Sequence, residues 1–156
     1  MAFTIEIKNL ASVSEMADKF PAVSEKYVGQ AIRASFLRIL SFIKQSNGAP
    51  VGVNNALRDQ WDERYSRFEG KLSSKTKYAP YIEFGTRPHV VPVKNNIDFQ
   101  KWANKKGLNP YAVAASIAKK GTRANPFFQR SIEQAQDGVN IEFGKALESI
   151  TKEIIK

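Results

Sequence analysis

Two stretches of this chain repeat apolar residues at steps of three and four, and a differently patterned segment lies between them. In the first, Val28, Ile32, Phe36, Ile39 and Ile43 fall on one side of a helix. In the second, Phe128, Ile132, Ala135, Val139, Phe143, Ala146, Ile150 and Ile154 do the same. Each pattern predicts a long amphipathic helix whose apolar stripe must find cover. A chain of 156 residues with 42% hydrophobic content suits a single domain over 1–156 with one core, and the first helix is its main element.

The segments around these helices show other periods. Phe3, Ile5 and Ile7 alternate with Thr4, Glu6 and Lys8, the period of a half-buried strand over residues 3–8. Ser12 and Glu15 have capping-box spacing and open a helical pattern that Pro21 should kink or split. The first long helix should then run to about Gln45 and stop at Asn47-Gly48 and Pro50, with Gly48 accepting a left-handed conformation. Between Ala56 and Lys77, Leu57, Trp61 and Tyr65 share one face, and Phe68, Gly70 and Leu72 alternate with Arg67, Glu69 and Lys71. That predicts an antiparallel hairpin over 56–77 with its turn near Arg64 to Arg67, though Asp59 and Glu63 spoil its inner face. A further short strand is expected near 90–93. Residues 95–121 carry two short helices of like punctuation. Asn96 caps the first, which ends at Lys105, Lys106 and Gly107; Asn109 and Pro110 open the second, which ends at Lys119, Lys120 and Gly121. Gly138 and Gly144 weaken the last helix by about 1 kcal/mol each relative to Ala, and mark a bend or a close contact. The expected fold class is therefore α+β: a small, mostly antiparallel sheet packed on two long helices, with a basic two-helix insertion at about 95–121.

Charge is unevenly spread. Of a net charge of +9, residues 71–130 hold 12 Lys/Arg against Glu83 and Asp98 alone, and no acid lies between 99 and 130. Helix dipoles favour lysines at last turns, which accounts for Lys105, Lys106, Lys119 and Lys120. Lys101, Arg123, Arg130, Lys94 and Arg87 have no such local reason. A one-signed block suits a polyanion, most simply nucleic acid phosphate, or else a solvated face.

Other function classes fit poorly. Glu6 and Lys8 interrupt the apolar run a signal peptide needs, so no secretion signal is expected. No stretch approaches the roughly 18 apolar residues of a membrane span, and cysteine is absent. His89 is the only imidazole, which excludes a His-based triad or a two-His metal site within one copy. Glu83 could form a carboxylate pair with Asp98 or Glu69, but pairing with a neighbouring Arg or Lys is the favoured reading. Gly70-Lys71 lacks the upstream glycine of a phosphate-binding P-loop. The expectation is a protein that is not an enzyme and needs no cofactor or metal.

Tyr78-Ala-Pro-Tyr-Ile-Glu-Phe-Gly-Thr-Arg-Pro-His89 is echoed by Lys120-Gly-Thr-Arg-Ala-Asn-Pro-Phe-Phe-Gln-Arg-Ser131. In both, Gly-Thr-Arg ends a segment. Gly is read as supplying a positive φ there and Thr as capping the residues after it, with presentation of backbone N–H groups and Arg to a phosphate as the rival reading. Tyr78, Tyr81, Ile82 and Phe84 are read as core residues rather than base-stacking platforms. Phe128 continues the buried stripe, whereas Phe127 lies off it. These segments resemble the tail-completion (neck, head-tail joining) proteins of tailed bacteriophages, the lambda Z-protein-like class. There a YAxYxEFGT segment, here Tyr78, Tyr81, Glu83, Phe84, Gly85 and Thr86, precedes a Pro-Phe-Phe helix start, here Pro126, Phe127 and Phe128. The resemblance is good over 49–131, and residues 95–121 look like an insertion within it.

The resemblance implies a structural virion protein, assembled in the bacterial host cytoplasm and located at the tail or neck. It implies a homo-oligomeric ring, usually sixfold, that completes the head-proximal end of the tail around the DNA path. Its partners would be copies of itself, tail terminator or tail tube proteins and head-tail connector proteins, with no membrane. Lys101, Lys105, Lys106, Lys119, Lys120 and Arg123 are candidates to face the lumen and meet genomic DNA phosphates without reading sequence. The alternative is a stand-alone basic nucleic-acid-binding protein.

Overall fold

The structure, a computed structural model, describes residues 4–7, 20–45, 47–52 and 54–155. The Ser12 capping box lies outside the described residues. Three strands, β1 (Thr4–Ile7), β2 (Trp61–Tyr65) and β3 (Gly70–Ser74), form an antiparallel sheet in the order β1-β3-β2. Six helices accompany it among the described residues: α1 (Pro21–Lys44), α2 (Ala56–Asp59), α3 (Ala79–Phe84), α4 (Ile97–Lys105), α5 (Pro110–Lys120) and α6 (Phe127–Ile154). The fold is α+β.

Helices α1 and α6 run antiparallel. The Tyr27 hydroxyl donates to Glu153 at one end, Arg38 bonds Glu142 at 3.3 Å midway, and Arg130 reaches the Asn47 carbonyl at the other. Between them lies the core: Val28, Ile32, Phe36, Ile39 and Ile43 from α1, with Phe128, Ala135, Phe143, Ala146 and Ile150 from α6. Helix α1 passes close over central strand β3 where Gly70 faces Ile32 and Phe36, and any Cβ at Gly70 would meet both side chains. Beside it Leu72 is fully buried. Trp61 of β2 stacks on Phe128 with centroids 5.2 Å apart, and its indole N–H donates to the Leu57 carbonyl at 3.0 Å. The sheet is thereby fixed to the first turn of α6.

Several expectations from the sequence need correction. Pro21 stands at N1 of α1, where a missing N–H costs nothing, and the helical pattern expected before it lies outside the described residues. Gly48 does not take a positive φ. It is needed because the chain folds back onto the Phe42 and Ile43 carbonyls, with Ala49 N–H bonding the latter at 2.9 Å. Residues 56–59 form a helical turn instead of a strand. Asn55 is left-handed (φ 56°), and the helical turn after it drops Leu57 into the core. The spacing 57, 61, 65 moves in steps of four, which fit both periods and could not choose between them. The hairpin turn lies at Ser66–Glu69, closed by Ser66 N–H to the Glu69 carbonyl at 3.0 Å. Because β2 is an edge strand, Glu63 is exposed and the imperfect inner face carries no burial cost.

No strand forms at 90–93. Val93 is buried, whereas Val90 is exposed, and the segment lies against α5 along a shallow groove of about 340 Å³ lined also by Tyr111, Ala114 and Ala118. Gly138 faces the Arg38 side chain, a close contact with α1, while Gly144 has open space around it.

Candidate functional site

The two echoed segments meet in space. Thr86 and Thr122 form an antiparallel bridge, with Thr86 N–H to the Thr122 carbonyl at 3.1 Å and Thr122 N–H to the Thr86 carbonyl at 3.2 Å. Their hydroxyls lie 3.0 Å apart, and Thr86 Oγ1 also accepts the Thr122 N–H at 3.1 Å. Gly85 and Gly121 precede them at φ 71° and φ 72°, the left-handed region predicted for both. A Cβ on either would strike the opposite turn's backbone, at Thr122 from Gly85 and at Thr86 from Gly121. Thr86 and Thr122 thus cross-brace the turns instead of capping the residues beyond them.

Helix α3 leads into the first turn, and its one buried acid joins it to α6. Glu83 is 3% exposed, and its two carboxylate oxygens accept the N–H groups of Phe128 (2.9 Å) and Gln129 (3.0 Å). These are donors at the start of α6 that the helix itself leaves unpaired, and the positive end of the helix dipole favours the acid there. The expected pairing of Glu83 with an Arg or Lys is therefore replaced by a helix cap, and Asp98 and Glu69 take no part. Pro126 sits at the N-cap position with no side-chain acceptor of its own, so the cap comes from α3. Phe127 is fully buried within the single chain, off the stripe though it is. Asn125 N–H bonds the Ile82 carbonyl at 2.8 Å, a second tie between the segments.

The aromatic residues of α3 behave differently from their sequence reading. Tyr78, Tyr81 and Phe84 are 42%, 60% and 73% exposed, while Ala79 and Glu83 take the inward positions and Ile82 is half-buried. They succeed one another at steps of three along one side of the short helix. Burial pushes the Tyr78 phenol above its usual range, with the negative charge of Asp98 adding to the effect. What the periodicity could not show was that the polar Glu83 would be the buried member.

The six basic candidates are all exposed, and none has a carboxylate in ion-pair reach among the described residues. They do not form one patch. Lys105 and Lys106 close α4, with Lys101 one turn earlier, and Lys105 donates to the Gly52 carbonyl at 3.4 Å. Lys119, Lys120 and Arg123 gather at the far end of α5, about 16 Å along its axis from the start at Pro110. Arg87, absent from the candidates, belongs with the second group through the Thr86–Thr122 bridge. The echo of Gly-Thr-Arg was the signal for this, since two turns of like geometry can pair. Arg130 is not a free cation: it bonds the Asn125 side chain at 2.7 Å and the Asn47 carbonyl.

Among the described residues no cluster of His, Asp and Glu able to hold a metal ion is present, and no helix is long and apolar enough to cross a membrane. No protein-family model, curated protein or solved structure matches the chain.

Proposed function

We propose that this chain is a structural virion protein that completes the head-proximal end of a bacteriophage tail, forming a homo-oligomeric ring about the DNA path. One observation carries the reading. The motif residues act as one unit, with Glu83 fixing α3 to the start of α6 while Tyr78, Tyr81 and Phe84 stand outward. A rigidly held aromatic face is what a protein uses to bury area against a neighbour, since aromatic side chains supply large contact area at small entropic cost. In this reading the neighbour is the next copy, α4 and α5 are a basic insertion that projects from the ring, and the ring's two ends meet tail terminator or tube proteins and the head-tail connector.

The test is assembly. Tyr81→Ser with Phe84→Ser should leave a folded, soluble subunit by circular dichroism while removing ring formation in native mass spectrometry. In infected cells the same change should leave unjoined heads and tails. A reconstruction of the particle without density for this chain at the neck overturns the proposal.

The stand-alone nucleic-acid-binding reading draws on the cations around the paired turns. It requires tight binding of duplex or single strands at physiological salt by isolated subunits that never form rings.

A further inference from the structure

We infer that the paired Gly-Thr-Arg turns form a cradle for the phosphates of duplex DNA, carried by Arg87 and Arg123 and supported by Lys119 and Lys120. The Thr86–Thr122 bridge sets the geometry. Because the two threonine hydroxyls meet on one face of the pair, the residues next to them, Arg87 and Arg123, belong to the other face. In an antiparallel pair centred on 86 and 122, position 87 stands opposite 121 and position 123 opposite 85. Arg87 and Arg123 are thus diagonal neighbours, on the order of 7–8 Å apart. The residue facing each is a glycine, which brings no side chain of its own to this face. Helix α5 ends at Lys120, directly before Gly121, which adds Lys119 and Lys120 to the same end.

Four exposed cations thereby lie on one braced element with no carboxylate in ion-pair reach among the described residues. The brace supplies pre-organisation: both arginines hang from backbone fixed by two main-chain hydrogen bonds and a hydroxyl contact. Lys101, Lys105 and Lys106, carried by α4, lie outside the cradle.

Charge density decides which polyanion fits. Along the roughly 16 Å of α5, duplex DNA presents about nine phosphates, at one charge per about 1.7 Å of axis. An extended peptide rises about 3.3 Å per residue, so it presents about five charges over that length even if every residue is acidic. Phosphate contacts of this kind hold position without reading bases.

The setting of the duplex as a genome threading a neck rests on the proposed function, but binding by the isolated chain does not. The experiment measures fluorescence anisotropy of a short mixed-sequence duplex with the full chain, from about 50 to about 200 mM salt. Four phosphate contacts predict a fall in affinity of about 150-fold over that range, at a slope near 0.9 per contact. Arg87→Gln with Arg123→Gln should reduce the fall to about 12-fold. Arg87→Lys with Arg123→Lys should restore the slope while binding more weakly, since a lysine keeps the charge and loses the fork. Lys101→Gln, Lys105→Gln and Lys106→Gln together should leave the slope unchanged. The inference is overturned if the unaltered chain binds no duplex at low salt, if the arginine change leaves the slope intact, or if the α4 lysines carry as much of it. It is equally overturned if polyglutamate competes as well as duplex, which would make the cradle a seat for an acidic protein. None of these results bears on whether rings form, so a failure here leaves the neck assignment standing, and a chain missing from the neck leaves the cradle standing.

Discussion

The carboxylate of Glu83 accepts the backbone N–H of Phe128 at 2.9 Å although the two residues lie 45 positions apart. A second oxygen of the same group takes the Gln129 N–H. One side chain therefore does for α6 what a local Ser or Asp does for most helices, and it ties the capped end to a distant segment while doing so. Glu83→Ala leaves a buried N–H without a partner and removes a negative charge from the helix start. The expected loss is about 2–4 kcal/mol in urea denaturation. Glu83→Gln retains one carbonyl acceptor and should lose about half as much. A Glu83→Gln chain as stable as the unaltered one, with Glu83→Ala still weakened, would show that filled volume, not the cap, matters here.

The paired turns give a graded test within one residue type. Gly85, Gly107 and Gly121 all have positive φ, between 68° and 72°. At Gly121 an added Cβ meets the Thr86 backbone, whereas at Gly107 it meets open space. Gly107→Ala should cost about 1 kcal/mol, the strain of the left-handed conformation alone. Gly121→Ala must also push the two turns apart and should cost at least twice that, with the Thr86 and Thr122 amides losing protection in hydrogen exchange.

How far the sequence could be read depended on how local each determinant was. The stripes of α1 and α6 are local repeats over many turns, and the helices run where those repeats place them, with buried Val28 to Ile43 and Phe128 to Ile150 facing one another. The Asn96 and Asn109 caps are local too: their side chains accept from Phe99 and from Tyr111 and Ala112. Position 56–59 failed because a step of four serves helix and strand alike. The site failed for a different reason. Whether Glu83 or Tyr81 turns inward is decided by the start of α6, a partner that no window around residue 83 contains. The same holds for the bridge: each Gly-Thr-Arg turn was legible, but their mutual pairing is a tertiary fact.

Strand β2 supplies a pH test. The Tyr65 phenol is pushed from its usual 10.0 up to about 12, first by burial and then by its hydrogen bond to Glu63, on the same side of the strand. A raised pKa means that the folded state favours the neutral phenol. The associated stability is fully present below pH 10 and is lost as pH climbs from about 10 towards about 12. Ultraviolet titration should show one tyrosine ionising near the upper value, and Tyr65→Phe should remove that step. The same substitution should flatten the decline of stability across this window without altering stability at neutral pH by more than about 1 kcal/mol.

Helix α6 holds two glycines whose surroundings differ, and they should respond in different directions. Gly144 lies mid-helix with nothing within reach of an added Cβ. Gly144→Ala therefore gains helix propensity with no steric cost, about 0.8–1 kcal/mol, or a rise in melting temperature of about 2–4 °C for a chain of this size. Gly138 faces the Arg38 side chain, which in turn holds Glu142 at 3.3 Å. Gly138→Ala must displace that guanidinium, and the lost contact offsets most of the propensity gain. Thermal melts of the isolated subunit check both. A Gly144→Ala subunit that melts higher alone yet assembles poorly would place this side of α6 against a neighbour in the ring, because only a partner arriving there could turn the added methyl group from a gain into an obstruction.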